Sequence, residues 1–147
     1  MIALVDRGLS LNPNYARGWF MSGVLRLRAG QPDIAIEHCE AALRLSPRAR
    51  VGRVLSMMGQ AHFVRRRSAE AVPKLLLAIQ EDPGHPATYR WLAACYAHMG
   101  RLDDAQEIVE RLRVITPVVV PPDASFLRNP EHRELFMSGL RLAAGEP

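Results

Sequence analysis

The sequence predicts an all-α protein, a superhelix of antiparallel helix pairs laid side by side. Three features carry that expectation. Pro13, Pro47, Pro83 and Pro117 each close an amphipathic stretch, at spacings of 34, 36 and 34 residues. Each interval holds two stretches with apolar residues at helical spacing, parted by a short break. Small residues recur at matched places, Gly23, Gly59 and Ala93 in the first stretch and Ala35, Ala71 and Ala105 in the second. Two helices that cross closely need such residues where their backbones approach.

Taken in order, residues 1–13 read as the second helix of a partial repeat, with Ile2, Val5 and Leu9 on one face. Residues 14–47 form a first repeat, helical about 15–28 and 33–45, with a break at "AGQPD". Gly30 suits a left-handed helix cap, and Pro32 a first helical position where its missing N–H is no loss. Residues 50–83 form a second repeat, helical about 51–64 and 69–81, with "VRRRS" as the break. Pro73 costs an interior helix roughly 3 kcal/mol, so a kink or a late start near Val72 is expected there. Residues 84–117 form a third repeat, helical about 86–99 and 102–115, with "MGRLD" between. Asp33 and Glu37, and Asp103 and Asp104, place negative charge near helix N-termini; Arg44, Arg111 and Arg113 place positive charge near C-termini. Residues 118–128, with Pro121 and Pro122, should be an extended linker. Residues 129–144 close the chain as a capping helix, with Asn129 as N-cap, Pro130 behind it and Leu135, Phe136 and Leu140 as an apolar face.

These units resemble the tetratricopeptide repeat, a 34-residue helix-turn-helix. The first copy carries Trp19, Gly23, Gly30, Ala35, Ala42 and Pro47 of its signature, and the second Gly59, Ala71, Ala78 and Pro83. The third carries Tyr89, Leu92, Tyr96, Gly100, Ala105 and Pro117. Arg66 departs from the pattern where a turn glycine is expected. Trp19, Tyr89 and Tyr96 should fill the gaps between hairpins, and Trp19→Ala is expected to cost roughly 3–5 kcal/mol. A lone hairpin cannot bury its apolar face, so neighbours must stack. The segments "ARGWFMSGVLRLRAGQPDIAIEHCEAALRLSPR" and "LRNPEHRELFMSGLRLAAGE" also resemble the C-terminal repeat region of bacterial class III adenylate/guanylate cyclase-like proteins. That resemblance implies a regulatory part or relative of a cyclic-nucleotide signalling protein, with an N-terminal signalling domain as one possible partner. The metal-binding aspartates of a cyclase domain have no match in this chain.

Composition narrows the function classes. Apolar residues make up 48 % and charged residues 23 %, with no apolar run long enough to cross a membrane. The start carries Asp6 and Arg7 where a signal peptide keeps an unbroken apolar stretch, and only two cysteines occur, so a cytoplasmic protein is expected. The net charge of +4 is spread over every segment, which disfavours a nucleic-acid stripe. Catalytic motifs, cofactor loops and metal-ligand spacings are absent from the sequence. Cys39 and Cys95, although near His38 and His98, fall on core positions and are expected to be buried thiols.

A protein or peptide partner is the remaining expectation, held on the concave face that first helices line. Arg17, Phe20, Val24 and Leu27, then Arg53, Ser56, Gln60 and Phe63, then Arg90, Ala94 and His98 point there. Apolar floor with arginine at the edge suits a segment bearing apolar and acidic groups. Phe20, Val24, Met57, Ala87 and Trp91 occupy the slots where one subclass of these repeats clamps a terminal carboxylate, so that activity is not expected. Two further possibilities are open: pairing of the partial first repeat as a homodimer, and occlusion of the groove by Val118 to Phe126, which can span roughly 30 Å.

Overall fold

The computed structural model describes residues 1–146, and regular structure among them is helical. The helices are α1 (Ile2–Leu11), α2 (Ala16–Arg28), α3 (Pro32–Leu45), α4 (Val51–Val64), α5 (Ser68–Glu81), α6 (Pro86–His98), α7 (Leu102–Ile115) and α8 (Pro130–Ala143). Three hairpins, α2–α3, α4–α5 and α6–α7, stack in chain order, with α1 against α2 at one end.

Local chemistry sets the helix ends. Pro32, Pro86 and Pro130 each open a helix in its first turn, and Asn129 Oδ1 accepts from the Glu131 N–H at 2.9 Å. The three hairpin turns share one device. Gly30 and Gly100 take φ of +85° and +77°, and the next N–H reaches back to a carbonyl inside the helix, Gln31 to Arg26 and Arg101 to Tyr96. The second turn does the same without glycine: Arg66 sits at φ +60°, and the Arg67 N–H bonds the His62 carbonyl. Of the two alternatives at Pro73, the late start does not occur: helix α5 starts at Ser68, not near Val72, and carries Pro73 in its second turn on the exposed side. Ala71, Val72 and Leu75 are buried on the opposite side, and that packing outweighs one missing backbone bond.

The small residues mark the crossings. A Cβ added at Gly23 would lie 2.7 Å from Cys39 Sγ and 3.3 Å from the Ala35 carbonyl; one at Gly59 would lie 2.6 Å from Leu75 Cγ. Ala35, Ala71 and Ala105 are fully buried opposite them. Successive hairpins are tied by an aromatic side chain reaching back to a repeat-closing proline. Trp19 Nε1 donates to the Pro13 carbonyl at 2.8 Å, and Tyr89 OH donates to the Pro83 carbonyl at 2.7 Å. Trp19 is only partly buried, edge-on to His38, so the large core role expected of it belongs elsewhere. Trp91 holds that role: it is 2 % exposed, edge-on to Phe63 and stacked on Phe136 at 4.2 Å.

Helix α8 covers the last hairpin from the concave side. Its N-terminus stands beside Gly30, its middle lies on α6, and its last turn reaches α7 near Val109. Phe136, Met137, Leu140 and Ala143 are buried there, and Gly139 lets the backbones close: a Cβ would meet the Ala94 carbonyl at 3.0 Å.

Candidate functional site

The concave face is built by α2, α4 and α6, and the chain's own tail fills part of it. Arg90 donates through Nε and Nη2 to the Val119 and Val118 carbonyls at 3.0 and 2.7 Å. From there the linker crosses to the far hairpin, where the Arg128 N–H donates to the Arg28 carbonyl at 2.9 Å. Val119, Ala124 and Leu127 are buried on the way. Arg133 then clasps the end of the linker through the Leu127 and Arg128 carbonyls, and α8 turns back over α6. His98 Nε2–H donates to the Leu135 carbonyl at 2.7 Å, fixing α8 on the end of α6.

This arrangement divides the residues that the sequence places on the concave face. Phe63 is buried among Trp91, His98 and their neighbours. Ser56 and Gln60 are buried and satisfy each other: the Ser56 hydroxyl bonds Thr88 Oγ1 at 2.9 Å, and Gln60 Nε2 donates to Ser56 Oγ at 3.2 Å. Arg90 and His98 hold the tail. Arg17, Phe20, Val24 and Arg53 remain at open surface.

The open part is a hollow of about 330 Å³. Its floor is Phe20, Val24, Met57 and Ala87, and its closed end is Trp91 with Phe126 and Leu127 from the linker. Arg28 and Arg53 stand at the rim, Arg28 over the Phe126 ring at 5.9 Å and Arg53 Nε paired to Asp82 at 2.8 Å. The hydrogen bond from Arg53 holds the Asp82 carboxyl below the usual range, and burial lowers the nearby His85 imidazole. Phe20 also lines two neighbouring hollows towards the hairpin loops, where Arg17, Arg48 and Arg50 gather. The possibility that Val118 to Phe126 occludes the groove reaches Phe126, whereas Leu127 lies outside it, because a linker's docking site is not encoded in its local pattern.

The tail is a wall, not a removable occupant. Leu127, Phe136 and Leu140 are fully buried, and exposing them would cost roughly 1.5–3 kcal/mol each. A micromolar ligand supplies about 8 kcal/mol in all, most of which displacement would consume. Elsewhere the chain offers little chemistry. Among the described residues no three His, Cys, Asp or Glu side chains stand together as a metal site. Cys39 and Cys95 are fully buried, and burial pushes both thiols up to about 12. No helix among these residues is long and apolar enough to cross a membrane.

Stacked helix hairpins with a concave face of first helices define an α-solenoid of the interaction-scaffold class. Models of the tetratricopeptide repeat match residues 2–50 and 65–118. The chain belongs to that family, one of non-catalytic interaction modules. Solved structures share the fold at low identity. MamA superposes with a TM-score of 0.72 at 22 % identity, covering 98 % of this chain and 85 % of its own. YrrB, described as a tetratricopeptide repeat protein with an unusual peptide-binding site, gives 0.66 at 20 % identity over 98 % of this chain and 75 % of its own. The first such domain of Spaghetti (RPAP3), bound to the HSP90 peptide SRMEEVD, gives 0.66 at 18 % identity over 88 % and 93 %. No protein of curated function matches the sequence.

Proposed function

We propose that this chain is a protein-interaction module that takes a short partner segment in the part of its concave groove the tail leaves open. The observation that carries this reading is the hollow itself. Its floor of Phe20, Val24, Met57 and Ala87 suits one apolar side chain, and Arg28 and Arg53 at the rim suit an acidic neighbour. That two neighbours of this fold are described with peptides or a peptide-binding site supports it. The terminal-carboxylate clamp is not carried over, since its slots here hold apolar side chains. We further propose, on the resemblance of the repeats and of "LRNPEHRELFMSGLRLAAGE" to bacterial cyclase-like proteins, a regulatory role in cyclic-nucleotide signalling, acting in the cytoplasm on, or for, an N-terminal signalling domain.

An array of short peptides pairing Phe or Leu with Asp or Glu, read by fluorescence anisotropy, tests the reading. The double change Phe20→Ala with Arg53→Glu should weaken the best binders at least roughly tenfold, as loss of an anchor does. Phe20 is half-buried and Arg53 exposed, so the fold tolerates both. Unchanged binding by the double variant would remove the groove from consideration.

A further inference from the structure

Helix α1 carries an exposed apolar stripe away from the groove. Gly8 precedes Pro13 by five residues, as Ala42, Ala78 and Leu112 precede Pro47, Pro83 and Pro117. Those three side chains are 3 %, 1 % and 0 % exposed, because other helices of the stack cover them. Around Gly8 an added Cβ would meet nothing within 4 Å. The stripe on either side of Gly8 is apolar: Met1, Leu4 and Leu11 share its face at helical spacing, and Leu4 and Leu11 are 71 % and 79 % exposed. Val5 and Leu9 point the other way, towards α2, where a Cβ at Gly18 would crowd Leu9. Asp6 is engaged as well, in an ion pair with Arg26 of α2.

We propose that this stripe binds the same stripe of a second copy, giving a two-fold symmetric dimer through antiparallel α1 helices. The stripe is complementary to itself in one antiparallel register. Leu4 then lies over Gly8 of the second copy and Met1 against Leu11, with both contacts repeated by the symmetry. Large side chains meet the one position without a side chain, so the helices approach closely. The pair also reproduces the antiparallel geometry of α2 with α3, the contact that this face of a second helix makes within each hairpin. One helix pair is a small interface, so the dimer is weak and concentration-dependent.

Sedimentation of the 147-residue chain from micromolar to near-millimolar concentration should show a reversible monomer–dimer equilibrium. Leu4→Glu, at an exposed position, should return it to monomer while leaving the helical spectrum unchanged. Leu4→Cys combined with Gly8→Cys should oxidise to a covalent dimer, since the register brings these positions together across the axis and the native thiols are buried. A monomer at every concentration overturns the proposal, and so does a dimer that survives Leu4→Glu. A covalent dimer no faster to form than from a single cysteine on the exposed face of α7 overturns the register.

Discussion

The two tryptophans show how burial, not identity, sets a residue's contribution. Trp19 answers to the repeat signature and hydrogen-bonds Pro13, yet it is only partly buried. Trp91 matches no signature position and is enclosed by Phe63 and Phe136. Truncating a buried aromatic side chain loses its transfer energy and leaves a cavity. Trp91→Ala should therefore cost about 3–5 kcal/mol in urea unfolding, and Trp19→Ala clearly less. Equal costs, or a reversed order, would mean that the tail does not enclose Trp91. The small residues Gly23, Gly59, Ala35, Ala71 and Ala105 were legible in the sequence because close helix crossing admits nothing larger. Trp91 was not, because its burial depends on a helix more than forty positions further along the chain.

Among the elements, the hairpins follow from local pattern almost everywhere. Proline positions, glycine turns and end charges place the six repeat helices within a residue of their observed bounds. The α4–α5 turn is where the local rules are bent. Arg66 adopts the left-handed conformation its neighbours assign to Gly30 and Gly100, which costs a side-chain-bearing residue about 1–2 kcal/mol. Glycine there gives some of this back through its freer unfolded state. Arg66→Gly should thus stabilise the protein by about 0.5–1 kcal/mol, seen as a higher urea midpoint with unchanged slope; destabilisation would show that the arginine side chain contributes more than its backbone strain removes. Helix α8 was legible as an element but not in its placement. Leu135, Phe136 and Leu140 declare that one face must be buried, and an amphipathic face does not name its partner. The α6 surface that receives it, with Trp91 and Ala94, resembles any other groove surface until the tail is laid on it.

The whole molecule is a short solenoid whose groove is half built from its own C-terminus. Arg90 and His98 hold the tail by its carbonyls, the Arg28 carbonyl accepts from the Arg128 N–H, and Leu127, Phe136 and Leu140 anchor it by burial. For the proposed binding role, this leaves one apolar hollow beside Phe20 with arginine at its rim, in place of a long open channel. Of the groove residues the sequence suggests, Arg17, Phe20, Val24 and Arg53 stay open, Leu27, Ser56, Gln60, Phe63 and Ala94 are buried, and Arg90 and His98 are taken up by the tail. A removable tail would instead make the groove a regulated one, and the two cases differ in when the tail opens. Hydrogen exchange separates them directly. If the tail is part of the fold, the amides of α8 exchange only with global unfolding, at the rate of those in α6. If α8 exchanges orders of magnitude faster while α6 stays protected, the tail is a lid, and the account given of the site is wrong.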